Sequence, residues 1–243
     1  MAKEIIAEDI KEDEVGNKQT RSVKIYRKLS NHKYLKELQK NWDDFGRTDP
    51  LWAICTIPNK KGNRWIEDEF FETGKVEISE IIRYIESLDI SIPYRKALDF
   101  GCGVGRISQA LANYFDVVYG VDIAPSMIDL AKKYNVYGDR CRYHLNETDD
   151  LKLFQDNYFD FIYSSITLQH IRPRCMKNYI KEFLRVLNRG GLLIFQLPSD
   201  CIERISFLHN IRMKVRSLLK KCLKQPMMEL YSLKKKKVIK ILE

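Results

Sequence analysis

Three groups of residues in this 243-residue chain have the types and spacing to do chemistry. The first is a glycine loop, Leu98-Asp99-Phe100-Gly101-Cys102-Gly103-Val104-Gly105-Arg106. Its glycines fall at G-x-G-x-G, whereas a dinucleotide loop needs G-x-G-x-x-G to turn a helix N-terminus onto a pyrophosphate. Here the third glycine comes early, and a carboxylate, Asp99, precedes the loop. Beside a pyrophosphate that carboxylate would be repulsive, and beside an ammonium group it is favourable. Glycines let a ligand approach the backbone closely, so the loop suits an amino acid joined to a nucleoside. The second group is built on Asp122, which closes the apolar run VVYGVD 21 residues after Gly101. An acid there accepts hydrogen bonds from both ribose hydroxyls, and Ile123 and Met127 behind it offer apolar surface to an adenine. The third is Asn146-Glu147-Thr148-Asp149-Asp150-Leu151, placed to meet an adenine amino group. A glycine loop alone is a modest signal, and an acid ending a strand is often a helix cap. The order of the three says more than any one of them.

These groups need a scaffold that brings strand ends together. Residues 76–198 alternate short apolar runs with amphipathic helical patterns, as in a parallel sheet with crossover helices. The spacing predicts strands at Lys96–Phe100, Val117–Asp122, Cys141–Leu145, Tyr158–Ser165 and Leu192–Leu197. Helices are predicted over Arg106–Tyr114, from Pro125, and from about Pro173 to Leu187, where Gly190-Gly191 supplies the stop. The expected fold is α/β: a Rossmann-like, doubly wound, mostly parallel sheet with helices on both faces, whose ligands lie at the carboxyl ends of the strands. Residues 1–75 form an N-terminal extension and cap, helix-prone and then aromatic (Trp42, Phe45, Trp52, Trp65, Phe70, Phe71). Residues 199–243 form a basic helical segment.

Composition agrees with a globular protein: 44% hydrophobic and 31% charged residues exclude a disordered chain or a fibre. No apolar run approaches the roughly 20 residues of a membrane-spanning helix, and the start, MAKEIIAEDIKEDEV, is acidic and without a signal core, so a cytoplasmic location is expected. The six cysteines are scattered, with no C-x-x-C pair and no histidine at zinc-ligand spacing, so no metal site is expected. The net charge of +9 is concentrated at one end: from Arg204 on there are twelve Lys and Arg against two Glu. Such a segment can meet RNA, a phosphorylated substrate or an acidic membrane surface, or be a solvated helix face, which is commoner.

The motifs ALDFGCGVGRIS and YGVDIAPSMIDLAKK, followed in order by NETDDL, FDFIYSSITLQHI and FLRVLNRGGLLIFQLPS, resemble those of the class I S-adenosylmethionine-dependent methyltransferases over residues 78–198. The resemblance implies S-adenosyl-L-methionine as cofactor. It puts Asp99, Gly101, Gly103 and Gly105 along the methionine and ribose, Asp122 on the ribose hydroxyls, and Ile123 and Met127 against adenine. Glu147 would stand where the family usually has Asp beside the adenine amino group, with the Thr148 N–H on a ring nitrogen. Ser164 would offer backbone to the methionine ammonium. Segment 41–75 is similar to the cap of a group of small-molecule methyltransferases, which implies Thr73 and Gly74 near the methionine carboxylate.

Methyl transfer from a sulfonium is a displacement that depends mostly on holding the nucleophile in line, about 3–3.5 Å from the methyl carbon. His170, after the fourth strand, is the candidate base for a hydroxyl or protonated amine, and orientation of the loop is the equal alternative. Gln169 is a further positioning candidate, and His144, inside a strand, is expected to be satisfied in the core. The sequence Tyr163-Ser164-Ser165-Ile166 lacks the Asn-Pro-Pro-Tyr type motif for exocyclic amines of bases, and Cys102 is badly placed for covalent pyrimidine chemistry. The expected acceptor is therefore a small molecule, O- or N-methylated. RNA bound through the basic segment, and a catalytically inactive S-adenosylmethionine-binding regulatory protein, are the alternatives. An apolar stripe from Ile202 to Cys222, with Arg and Lys opposite, would cover the acceptor site or lie at a membrane facing a lipid-linked substrate. The resemblance also implies a closing antiparallel hairpin that this sequence lacks, which leaves a sheet edge open for a second copy of the chain to cover.

Overall fold

The structure, a computed structural model, describes residues 16–198, 228, 230–232 and 235–242. The elements run α1 (Gly16–Thr48), α2 (Pro50–Ile54), α3 (Glu67–Ser87), β1 (Lys96–Phe100), α4 (Arg106–Leu111), β2 (Val117–Asp122), α5 (Pro125–Tyr134), β3 (Cys141–Leu145), β4 (Phe159–Ser164), α6 (Pro173–Val186) and β5 (Leu187–Phe195), then a helix over Lys235–Leu242. All pairings in the five-stranded sheet are parallel, in the order β3-β2-β1-β4-β5. The order reverses between β1 and β4, and a doubly wound sheet opens a crevice at that point.

Strand alternation sends successive side chains to opposite faces. Leu98, Phe100, Tyr119, Val121 and Ile162 pack with α6 residues Tyr179, Ile180 and Phe183 and with Tyr34 and Leu35 of α1. Ala97, Val118, Phe161 and Tyr163 pack on the other face with Ile78, Ile82 and Ile85 of α3 and with α4. α3 is helical because Phe70, Gly74, Ile78, Ile82 and Ile85 repeat every three or four residues on its buried side, with Glu67, Asp68 and Glu69 favouring its positive end. This helix runs through the expected boundary between cap and core at residue 75. α1 presents Tyr34, Leu35, Leu38, Trp42 and Phe45 at similar spacing. It stops before Asp49-Pro50, where the proline disfavours helical backbone in the residue ahead of it.

The first three strands have the expected bounds, β4 is one residue shorter at each end, and α4 stops at Leu111 instead of Tyr114. The last crossover differs more. α6 ends at Val186, four residues before the glycine pair, and β5 starts at once with Leu187. Phe159 pairs with Leu187 and Phe161 with Leu192, so Gly190 (φ 75°) and Gly191 serve a bulge inside β5 and do not cap the helix. The helix Lys235–Leu242 packs Val238 and Ile241 on the α6 side of the core. The stripe Ile202–Cys222 lies outside the described residues. Among those described, no helix is long and apolar enough to cross a membrane.

Asp160 ties this end of the sheet. It is 1% exposed and accepts hydrogen bonds from Arg95 (3.0 and 3.3 Å), the Lys96 N–H (3.1 Å) and Asn188 (2.8 Å). Burial opposes its charge, but these donors outweigh burial and hold the carboxyl below its ordinary range. Arg95 is two-thirds exposed, so water screens its share. Asp160→Ala is expected to cost about 1–3 kcal/mol in urea denaturation at neutral pH, because buried donors lose their acceptor. The cost shrinks only as pH falls below about 4, through the lowered folded value, where the wild-type carboxylate is itself protonated.

Candidate functional site

The crevice at the switch point is a cleft enclosing ≈ 750 Å³ of empty space, its open mouth included. Small-molecule sites usually hold about 300–1,000 Å³. Its floor is the loop after β1. Gly101, Gly103 and Gly105 all have positive φ (79°, 51° and 86°), and a Cβ on Gly101 would fall 2.2 Å from the Thr167 side chain. Gly103 is equally closed, since its Cβ would meet Ile54 Cδ1 at 2.5 Å. Only glycine gives this backbone without strain or collision.

Asp122 stands at the β2 end of the cleft. One oxygen accepts the Gly103 N–H (2.9 Å), the other the Ala124 N–H (2.9 Å), and its main-chain carbonyl takes the Asn146 N–H (2.8 Å). Burial pushes its carboxyl above the ordinary range, opposed by hydrogen bonds from Ala124, Gly103 and Ile123. Ile123, Met127 and Asn146 continue the wall at this end. At the β4 end the wall is Ser165, Ile166, Thr167 and His170. Ile166 has φ 58°, rare for a β-branched residue, and costs about 1–3 kcal/mol. The Gln196 side chain fixes it by accepting its N–H (3.1 Å).

His170 is 7% exposed, with its ring edge-on to Trp42 (centroids 5.1 Å apart) and its Nε2 3.3 Å from the Gln169 amide. Leu38 and Trp42 of α1 roof the cleft. Gln39 donates to the Ile123 carbonyl (3.0 Å) and to Glu147 (2.8 Å), and Asp43 accepts the Ser126 N–H (2.8 Å). Near the C-terminus, the Tyr231 N–H donates to the Gln169 carbonyl (2.6 Å).

Of the residues singled out in the sequence, Gly101, Gly103, Asp122, Ile123, Met127 and His170 line the cleft. Asp99, Gly105, Glu147, Thr148 and Ser164 do not. Asp99 is on the α4 face of β1, 3% exposed and accepting from Ser108 Oγ at 2.6 Å. Gly105 makes room for the Tyr143 hydroxyl, 2.5 Å from where its Cβ would be. Glu147 is exposed and turned to α1, where Gln39 and Lys36 hold its carboxyl below the ordinary range. The Thr148 carbonyl accepts the Tyr179 hydroxyl, and Ser164 Oγ donates to the Phe100 carbonyl (3.1 Å). Thr73 accepts from Arg106 (3.3 Å), and Gly74 allows α3 to touch α4, since a Cβ there would sit 2.6 Å from the Arg106 carbonyl. His144 is half-buried and stacked on Tyr119, and among the described residues its buried Nε2 has no hydrogen-bond partner, in place of the satisfied core histidine expected. Burial raises the Cys102 thiol well above its usual range, which suits an inert side chain. Asn146, named in the sequence only as part of the third group, lines the cleft where Glu147 was chosen, and Leu38, which the sequence did not single out, joins the cap aromatic Trp42 in the α1 roof.

A family model described as a methyltransferase domain matches residues 98–195, from β1 to the end of β5. The sheet order and flanking helices are those of the Rossmann-like methyltransferase fold. It is 32% identical over 127 residues to a phosphoethanolamine N-methyltransferase of Triticum aestivum, across 51% of this chain and 24% of that protein. It is also 32% identical over 118 residues to a ubiquinone biosynthesis O-methyltransferase of Coxiella burnetii, across 47% of each. The matches thus span between a quarter and half of these curated relatives. Among solved structures, phosphoethanolamine N-methyltransferase 1 of Haemonchus contortus, complexed with phosphoethanolamine and S-adenosylhomocysteine, shares the fold, with a TM-score of 0.54 and 15% identity over 72% of this chain and 34% of that one.

The position of Asp99 in this fold has a measurable consequence. Burial raises its carboxyl to about 7, against the lowering effects of Ser108 and Arg106. In the unfolded chain it titrates near about 3.9. Between these values the unfolded state gives up a proton that the folded state keeps, so this residue's contribution to stability falls as pH rises and is level above about 7. The melting temperature of Asp99→Asn minus that of wild type should therefore become more positive from about pH 5 to about pH 8. A pH-independent difference would refute the assignment.

Proposed function

We propose that the chain binds S-adenosyl-L-methionine in this cleft and transfers its methyl group to an apolar small molecule bearing a hydroxyl. The observation that carries the donor half is the state of Asp122. A carboxylate has about four acceptor positions; the Gly103, Ala124 and Ile123 N–H groups use up to three, leaving at least one for a ribose hydroxyl. Ile123, Met127 and Asn146 would then flank the adenine, and Gly101 and Gly103 the methionine chain. Asp99, Gly105, Glu147, Thr148 and Ser164 would act on the donor indirectly, by shaping the loops that carry these residues.

The donor supplies a methyl on a sulfonium, already activated for displacement. The protein's share is to hold the acceptor oxygen in line with that methyl and to remove its proton. We assign the proton to His170, the titratable side chain that lines the β4 end, with Gln169 and Trp42 fixing its ring. The acceptor class follows from charge. Among the described lining residues Asp122 is the sole charged one and no Lys or Arg is present, while Leu38, Trp42, Ile54, Ile166 and Ile171 make much of the wall apolar. A phosphate would find no cation among them. The acceptor of the ubiquinone-pathway relative is therefore the better guide than phosphoethanolamine.

Calorimetric titration with S-adenosylhomocysteine tests the donor half. Asp122→Asn should weaken binding by about tenfold or more, because one acceptor becomes a donor facing the hydroxyls. Unchanged affinity in a folded variant, or no binding by the wild type, would sink the proposal. For the acceptor, methyl-labelled donor offered with alkyl phenols or with phosphoethanolamine should label the phenols. His170→Gln should lower kcat roughly 10²–10⁴-fold with little effect on donor affinity.

A further inference from the structure

The turn that carries His170 is gripped from outside by residues that do not line the cleft. His170 closes a single tight helical turn, Leu168–His170. Within it the His170 N–H donates to the Thr167 carbonyl and the Ile171 N–H to the Leu168 carbonyl, each at 3.0 Å. The other polar groups of this stretch are taken by distant parts of the chain. The Tyr231 N–H donates to the Gln169 carbonyl at 2.6 Å. The Tyr34 hydroxyl, from α1, accepts the Arg172 N–H at 2.8 Å and reaches the His170 carbonyl at 3.4 Å, a long contact.

The two outside partners are also joined to each other. Arg172 lays its guanidinium over the Tyr34 ring, 4.2 Å from the centroid, and its Nε donates to the Tyr231 hydroxyl at 3.3 Å. Tyr34 is 5% exposed, and Tyr231 packs against the same core. A side chain leaves its Cα in a direction set by the peptide planes on either side. Both planes flanking His170 have their carbonyl and their N–H engaged, so the direction of its Cβ is fixed. Water could satisfy such groups at a surface turn but would not fix that direction. The strained φ of Ile166, four residues earlier, points the same way, because strain of that kind persists only where the surroundings over-determine the chain.

On the base reading above, we propose that Tyr34, Arg172 and Tyr231 are positioning residues that aim the His170 imidazole at the acceptor. α1 then serves the base twice, with Trp42 against its ring and Tyr34 under its main chain. The grip acts on rate and not on donor binding, since Asp122 and the loops it ties lie at the other end of the cleft. Misplacing a catalytic group by about 1 Å can cost about 10²-fold in rate.

The test is turnover with labelled donor and an alkyl phenol. Tyr34→Phe keeps the ring and deletes only the hydroxyl. It should lower kcat roughly ten- to hundredfold, with KM and S-adenosylhomocysteine affinity within about twofold. Arg172→Ala should act in the same direction, and Arg172→Lys, which keeps a cation over the Tyr34 ring, should recover part of the loss. In a His170→Gln background neither Tyr34→Phe nor Arg172→Ala should lower kcat further, because the group they position is gone. The same fold-loss in both backgrounds would mark the grip as structural and overturn the inference, as would a wild-type kcat in both single variants. Should Tyr34→Phe fail to fold, Arg172→Ala, at an exposed side chain, decides alone. Undiminished kcat in His170→Gln by itself defeats the base assignment and this inference with it. A loss there, with full kcat in Tyr34→Phe and Arg172→Ala, defeats this inference and spares the base. If the wild type labels no phenol, nuclear magnetic resonance of isotope-labelled histidine decides: the imidazole signal that disappears in His170→Gln should move in Tyr34→Phe, and an unmoved signal overturns the inference.

Discussion

The cleft depends on one residue that joins three loops. Asp122 accepts the Gly103 N–H from the loop after β1 and the Ala124 N–H at the entry to α5, and its carbonyl accepts the Asn146 N–H from the loop after β3. One residue earlier, the Val121 carbonyl takes both the Gly101 and Cys102 N–H groups. The glycine loop, with three residues in the left-handed region, has little regular hydrogen bonding of its own and must be tied from outside. The end of β2 supplies those ties. That is why a buried carboxylate is tolerated: it replaces water as the acceptor for backbone groups that would otherwise be orphaned.

The roof is held differently. On either side of the cleft α1 is anchored by burial, at Tyr34 and Leu35 and again at Phe45, each worth about 1.5–3 kcal/mol if fully buried. Between them, over the cleft, the ties are Lys36 and Gln39 to Glu147 and Gln39 to the Ile123 carbonyl, mostly at exposed positions. Such exposed pairs contribute about 0–1 kcal/mol each. Leu38 and Trp42 add apolar packing in the same stretch, so burial holds the roof throughout and the polar ties orient it. Its polar ties run to the loops after β2 and β3, the same loops that Asp122 positions, so roof and floor share their anchors.

What was legible in the sequence is what local spacing dictates. Apolar runs and helical periods place β1, β2, β3 and α6 almost to the residue, and the glycines and Asp122 are readable because their roles are set by backbone next to them. Side-chain direction is harder. Asp99 has the right position in the motif, but the strand period that buries Leu98 and Phe100 toward α6 sends Asp99 to the opposite face, onto Ser108. Glu147 faces α1 because Lys36 and Gln39, more than a hundred residues away, capture it. The roof itself was hidden, since a cap aromatic such as Trp42 cannot be told from a packing residue until the helix is placed, and Leu38 carries no signal of its own. The glycine pair in β5 misled for a related reason: a helix stop and a bulge need the same conformational freedom, and only pairing with β4 distinguishes them.

Charge is distributed unevenly along the cleft, and the unevenness bears on the chemistry. The β2 end holds Asp122, polar backbone and Asn146, whereas the wall near His170 includes Trp42, Ile166 and Ile171 and carries no charged side chain among the described lining residues. Binding through polar groups at one end leaves the other end of low polarity. A displacement in which a cationic sulfonium and a developing oxyanion neutralise each other loses charge on the way to its transition state. Water stabilises the separated charges more than the neutralised products, so excluding it lowers that barrier. An imidazole is a suitable base there because it is neutral before it takes the proton, and so costs little to bury at rest. A permanent cation at that end would stabilise the oxyanion instead and make it a poorer nucleophile. The apolar wall is thus a positive feature of the proposed reaction, and it sets this cleft apart from one built to grip a phosphate.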